Sequence, residues 1–207
     1  MRIEYVSWSR FAHLCGILYR RIHASGWRPD MIIAIARGGY AAARVLADYF
    51  DIMDLTSLKI EHYRGPDKMP SAVVRYPLAA DIDDRQVLVV DDVSDSGESL
   101  EAALAHLAQK GRPSGLRTAV LHHKHTARLR PDYYAQRVLK WRWITYSWAL
   151  VEDLTALARR LDEPPRTGED LRQHLATMYR FTLPAGLFAD IAPIVIDALE
   201  RPRASDG

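Results

Sequence analysis

Two adjacent carboxylates, Asp91 and Asp92, follow the apolar run Val87 to Val90 and lead into Asp95-Ser96-Gly97-Glu98-Ser99. A short, continuously apolar, β-branched run reads as a strand buried on both faces. The acids then stand at its carboxyl end, where open parallel sheets bind their ligands. Neighbouring side chains on a strand point to opposite faces, so the two carboxylates need not share one task. One can orient a hydroxylated ligand or its metal while the other holds a loop. The Asp95–Ser99 stretch lies between that strand end and the start of a helix. Successive backbone N–H groups, a helix N-terminus and two serine hydroxyls suit it to an anion, a phosphate above all. The plain alternative is a strand–turn–helix junction with Asp and Ser as caps. Two acids after four apolar residues, followed by a cradle, favour the ligand site.

A second anion loop follows the apolar segment Met31 to Ala36. In Ala36-Arg37-Gly38-Gly39-Tyr40 the glycines let the backbone approach a ligand closely, and Arg37 is a rigid fork of donors. Neither loop is a Walker GxxxxGK[ST] or a dinucleotide GxGxxG. Two separated anion loops imply a ligand with phosphate groups at both ends.

The elements that must hold these loops follow from hydrophobic spacing. Ser7 or Ser9 caps a helix carrying Trp8, Phe11, Leu14, Leu18 and Ile22, which Gly26 ends. Strands are expected at Met31–Ala36, Leu55–His62, Ala72–Leu78, Val87–Val90 and Leu116–Leu121. Helices are expected at about Tyr40–Tyr49 and at Glu98–Lys110. A polar loop, Tyr63–Pro70, joins two of the strands. Such alternation predicts an α/β fold with a mainly parallel sheet covered by helices on both faces. After Trp148 the texture becomes helical: Ala149–Leu161, then a helix behind a Thr167/Asp170 capping box, then Ile191–Leu199 and a frayed end. The expected domains are 1–155, carrying the chemistry, and 156–207, a helical extension for packing or oligomerisation.

Composition narrows the class. In 207 residues, 48% are apolar and there are five Trp and ten Tyr, so a packed core is expected rather than disorder. No apolar run approaches the roughly 20 residues that span a bilayer. The N-terminus has no secretory pattern, which predicts a cytoplasmic protein. A single cysteine, Cys15, excludes an internal disulfide and a Cys-rich zinc site. A net charge of +2 implies no extended nucleic-acid surface.

The segment VLVVDDVSDSGESL closely resembles the signature of the type I phosphoribosyltransferases, which bind 5-phosphoribosyl 1-diphosphate (PRPP). Ile33-Ala34-Ile35-Ala36-Arg37-Gly38-Gly39 is similar to the pyrophosphate loop of that family. The resemblance spans roughly residues 5 to 155. It implies the type I fold with a small hood. It also implies that Asp91 and Asp92 lie near the ribose hydroxyls and Mg2+, and that Asp95, Ser96, Gly97, Glu98 and Ser99 grip the 5′-phosphate. Arg37, Gly38 and Gly39 would hold pyrophosphate, with a cis peptide at Ala36–Arg37. A lid would lie within His62–Tyr76, and Lys59 and Arg64 would contact diphosphate across a subunit boundary.

Further on, the chain resembles the enzymes for 6-oxopurines. Lys124 ends a strand-like TAVLHHK and would reach the exocyclic oxygen of the base. Pro131-Asp132-Tyr133 and the pair Trp143-Ile144 follow in the order of that group, with Trp143 and Ile144 beside the base. Asp95 would meet purine N7 and exchange its proton. Lys124 donates hydrogen bonds and accepts none, so it favours a 6-oxo over a 6-amino group. Trp141 and Trp148 read as packing. Ser147 precedes Trp148 where proline is usual, and Ser96 and Ser99 replace commoner threonines while keeping the hydroxyl. The implied reaction is transfer of phosphoribosyl from PRPP to N9 of a purine base, giving a nucleoside monophosphate and pyrophosphate in a homodimer or higher homo-oligomer. The alternatives are a PRPP- or nucleotide-binding regulator without turnover, and a phosphoribosyltransferase for another base.

Overall fold

The computed structural model describes residues 1–63 and 71–201. The centre of the expected lid, Arg64 with it, and the last six residues lie outside the described residues. From the N-terminus the chain forms β1 (Ile3–Val6), α1 (Trp8–Ala24), β2 (Met31–Ala36), α2 (Gly39–Phe50), β3 (Leu55–Tyr63), β4 (Ser71–Tyr76), β5 (Gln86–Ser94) and α3 (Glu98–Lys110). β6 (Gly115–Lys124), β7 (Tyr133–Val138), β8 (Trp143–Tyr146), α4 (Leu150–Ala158), α5 (Gly168–Tyr179) and α6 (Ala185–Glu200) follow. Two compact units result: Ala12–Trp141, and Met1–Phe11 with Arg142–Gly207.

The larger unit is built on a six-stranded sheet in the order β4-β3-β2-β5-β6-β7. All its pairings are parallel except β3 with β4. β2 reads MIIAIA and is buried at every residue, as a central parallel strand must be. Met31, Ile33, Ile35, Val87 and Val89 line one face, where Leu100, Ala103 and Leu107 of α3 pack on them. Right-handed crossovers send α2 and α3 to opposite faces, because one leads from β2 outward to β3 and the other from β5 outward to β6. Each fully buried Leu, Ile or Val contributes about 1.5–3 kcal/mol, so the sheet core carries the stability and the loops at its edge are released for function.

The structure lengthens two of the expected strands. β5 does not stop at Val90 but runs through Asp91 and Asp92 to Ser94, and β6 runs on to Lys124. The register explains this: Asp91, Val93 and Ser94 pair with Val120, His122 and His123, so the ladder continues past the polar residues. The acid pair therefore sits within the strand rather than beyond its end. The strands β1, β7 and β8 form in addition to those the hydrophobic spacing predicts.

The smaller unit holds the parallel pair β1–β8, with Ile3 opposite Trp143 and Glu4 opposite Ile144. Leu154, Leu157, Leu171, Leu175, Phe188 and Val195 form the core of α4, α5 and α6. Ser7 caps α1, its Oγ accepting the Arg10 N–H at 3.2 Å. The Thr167/Asp170 capping box forms as expected, with both reciprocal bonds present. α6 begins six residues before the expected start and carries Pro193 internally. Its apolar face offsets the lost ladder bond. Among the described residues no helix is long and apolar enough to cross a membrane.

Candidate active site

At β2 and β5 the connections diverge, α2 leading away to one side and α3 to the other. The crevice at the carboxyl ends of these strands is the switch point where open α/β sheets bind ligands. Both loops singled out from the sequence are there. β2 and β5 pair directly, Ala34 opposite Val90, so the Arg37 loop leaves its strand beside the acid pair of the next.

The two glycines are required by close approach. A Cβ on Gly39 would stand 2.3 Å from the Val90 carbonyl oxygen, and one on Gly38 would stand 2.5 Å from Asp92 Oδ2. The Asp92 carboxylate thus lies directly against the bare backbone of the Arg37 loop. The peptide Ala36–Arg37 is cis. Arg37 is exposed, and Lys59 pairs in register with Ala36 beside it, its ammonium 2.5 Å from Glu61.

Asp91 and Asp92 differ as their opposite faces require. Asp91 is buried, and its Oδ1 accepts the Asp92 backbone N–H at 2.9 Å. Burial, and then the negative charge of Asp92, hold its carboxyl well above the usual carboxylate range. Asp92 is the more open of the two. Two carboxylates that repel each other are suited to a divalent cation. Magnesium needs only one or two of them, with substrate oxygens and water completing its shell. Among the described residues no group of three or more His, Cys, Asp and Glu gathers to hold a metal ion. The pair fits a magnesium that arrives with a phosphate-bearing ligand.

The cradle lies between Ser94 and α3. Gly97 has φ +94°, a left-handed conformation, and a Cβ there would meet the Leu129 backbone nitrogen at 2.9 Å. Ser96 Oγ accepts the Glu98 N–H at 3.3 Å and shapes the turn into the helix. Outside the cradle, Arg128 N–H donates to the Ser96 carbonyl at 2.8 Å and Thr126 Oγ1 donates to the Asp95 carbonyl at 3.0 Å. This clamp was missed in the sequence, where Thr126 to Leu129 carries no signal of its own.

One step further along the sheet edge, the Lys124 side chain is almost completely buried and its Nζ lies 2.6 Å from Asp95 Oδ2. A buried ammonium requires such a partner. Trp141 joins the pair: its Nε1 donates to Asp95 Oδ1 at 3.3 Å, and Lys124 Nζ lies 4.6 Å from its ring centroid. The expectation that Trp141 is a packing residue is corrected here, since its indole N–H and ring face are both turned to the Asp95–Lys124 pair. An anion loop, an acid pair, an anion cradle and a donor–acceptor pair thus succeed one another from β2 to β5 to β6. That sequence of groups can seat a ligand bearing separated phosphates and place a ring with one acceptor and one donor at its far side.

Trp143 and Ile144 stand on β8 in the smaller unit. The Trp143 backbone N–H donates to the Arg2 carbonyl at 2.9 Å, and the Arg160 guanidinium lies 5.9 Å from its ring centroid. On α4, the Asp153 carboxyl is pushed up to about 6 by burial.

Residues 3–153 match the family model described as Phosphoribosyl transferase domain. The chain is 27% identical over 150 residues to the xanthine-guanine phosphoribosyltransferase of Cereibacter sphaeroides, covering 70% of this chain and 85% of that protein. It is 38% identical over 106 residues to the bifunctional protein PyrR of Streptomyces coelicolor, covering 47% of this chain and 55% of that one. Among solved structures, the purine phosphoribosyltransferase of Pyrococcus horikoshii superposes with a TM-score of 0.63 at 30% identity, covering 72% of this chain and 94% of that one. Family model, relatives and fold agree with one another: the chain belongs to the type I phosphoribosyltransferase family and stands, within it, with enzymes of the purine-salvage type.

Proposed function

We propose that this enzyme transfers the 5-phosphoribosyl group of PRPP to N9 of a 6-oxopurine, giving a nucleoside 5′-monophosphate and pyrophosphate. The observation that carries the choice of base is the buried Lys124 ammonium held 2.6 Å from the Asp95 carboxylate. A donor that cannot accept stands next to an acceptor, which matches the exocyclic oxygen and the N7–H of a 6-oxopurine and mismatches the 6-amino group of adenine. Asp95, Ser96, Gly97, Glu98 and Ser99 bind the 5′-phosphate at the α3 N-terminus. Arg37 and the N–H groups of Gly38 and Gly39 bind the leaving pyrophosphate. Asp91 and Asp92 orient the ribose hydroxyls and hold Mg2+, which when bound neutralises charge on the diphosphate.

In the reaction the N9 lone pair forms the bond to C1 as the C1–O bond to pyrophosphate breaks. The Asp95 carboxylate takes the N7 proton, so no charge accumulates on the base. Arg37 meets the charge that develops on the leaving group. Trp143 and Ile144 flank the base, a role that rests on the sequence resemblance. Residues 1–155 form the transferase domain and 156–207 an extension, in a homodimer or higher homo-oligomer acting in the cytoplasm.

The test is magnesium-dependent pyrophosphate release from PRPP with hypoxanthine, guanine, xanthine, adenine and uracil supplied in turn. Release with 6-oxopurines alone is expected, and Lys124→Ala and Asp95→Asn should impair it. Preference for adenine or uracil, or a preference that Lys124→Ala leaves unchanged, would sink the reading. A second reading is a phosphoribosyltransferase for another base, or a regulator that binds PRPP without turnover. It rests on the higher identity to the bifunctional protein PyrR over its shorter matched stretch. Binding of PRPP without release for any base would favour the regulator.

A further inference from the structure

We infer that Trp141 is a positioning residue for base recognition: its indole N–H fixes the Asp95 carboxylate while its ring face holds the Lys124 ammonium. The inference rests on the reading of Asp95 and Lys124 as the groups that meet the base.

The geometry is that of a three-way lock. Asp95 lies on the cradle with its side chain 49% exposed, so one ion pair would leave the carboxylate free to swivel about that bond. Lys124 takes Oδ2 at 2.6 Å and Trp141 Nε1 takes Oδ1 at 3.3 Å, so both oxygens are tied and the carboxylate plane is set. A carboxylate offers about four lone-pair sites. Two are used, and the others remain for an incoming N–H. On the other partner, the ring centroid 4.6 Å from Nζ covers one side of the ammonium with an aromatic face and keeps water from it. Lys124 still has N–H groups to offer an exocyclic oxygen.

Trp141 is 45% exposed, and its contacts are polar and charged rather than ring on ring. The aromatic clusters of the chain contrast with it. Trp148, for example, packs its ring on those of Phe11 and Tyr146. Trp141 instead directs its one polar atom and its π face at the two halves of the same ion pair. It comes from the segment after β7, so it sets the pair from outside the strand ends that carry Asp95 and Lys124.

Two variants separate its two contributions. Trp141→Phe keeps the ring over Lys124 and removes the N–H, whereas Trp141→Gln keeps an N–H donor and removes the ring. Steady-state kinetics would be measured for both substrates. Both variants are expected to raise KM for the purine about 3- to 10-fold and leave KM for PRPP within about twofold, the size of one long hydrogen bond or one cation–π contact at a half-exposed site. Because Trp141 is exposed, both should fold with unchanged circular dichroism. Trp141 emission, taken as parent minus Trp141→Phe, should shift when Lys124 is changed to Met. A parent that turns over a purine, with variants whose purine KM is unchanged or whose two KM values rise together, overturns this inference alone. A parent that turns over no base overturns the underlying reading and this one with it.

Discussion

Replacing Gly38 and Gly39 by alanine, one at a time, separates what the loop does for the fold from what it does for the site. In Gly39→Ala the new Cβ would stand 2.3 Å from the Val90 carbonyl oxygen and 3.2 Å from the Asp91 Cα. Both neighbours are backbone of a central strand, so no rotamer relieves the overlap, and either α2 or β5 must move. Overpacking of this kind costs about 1–3 kcal/mol, and the absence of a flexible neighbour places it at the upper end. For a chain of 207 residues this is a fall in Tm of about 5–10 °C. In Gly38→Ala the neighbour at 2.5 Å is the end of the Asp92 side chain, which can rotate away. Its backbone, φ −57° and ψ −40°, suits alanine. The stability cost should be below about 1 kcal/mol, but the carboxylate leaves its place beside the Arg37 loop. A displacement near 1 Å of a positioning group costs about 100-fold in rate, here in kcat/KM for PRPP. Thermal denaturation and pyrophosphate release on the two variants read both effects. A Gly38→Ala protein that loses more Tm than Gly39→Ala, or that keeps full activity, would refute the placement of Asp92 against the loop.

Other outcomes follow from the buried groups. Asp91 has its folded pKa raised by burial and by Asp92, so the parent loses stability as pH rises above about 4 toward that folded value. Asp91→Asn keeps an acceptor for the Asp92 N–H, should be more stable than the parent at neutral pH by denaturant titration, and should lose activity. Asp153 titrates near 6 when folded against 3.8 as its ordinary value. The proton is thus held more tightly in the native state, and stability falls between about pH 4 and pH 6 by at most about 3 kcal/mol. Asp153→Asn should remove that slope, which a pH series of denaturant midpoints would show. The Cys15 thiol is buried and pushed up to about 12, so thiol reagents at pH 8 should label it only at the rate of unfolding.

The sequence made some of this legible for physical reasons. β2 and the start of β5 are unbroken apolar runs, and only a doubly covered strand buries every residue in turn. From such strands, the loops that follow are placed without further information. The continuation of β5 was hidden because Asp91, Asp92 and Ser94 carry no strand-forming signal. They stay in the ladder because β6 lies alongside them. β1 and β8 pair across more than 130 residues, are four residues each, and mix Glu4 and Thr145 with apolar side chains, so no local pattern marks them. Lys124 was found through its place at the end of an apolar strand and the family resemblance. Trp141 was not, because an indole in a loop declares nothing until Asp95 and Lys124 are seen to converge on it. The clamp from Thr126 and Arg128 is of the same kind, a set of ordinary residues made useful by contacts 31 and 32 positions away.

The central claim is that the Asp95–Lys124 pair reads a 6-oxopurine in a PRPP-dependent transfer. A competition between equimolar guanine and adenine, with limiting PRPP and magnesium and with products separated by chromatography, tests it most directly. The account expects guanosine 5′-monophosphate as the dominant nucleotide, with that preference lost in Lys124→Ala. Adenosine 5′-monophosphate as the main product, or a guanine preference untouched by Lys124→Ala, would contradict it.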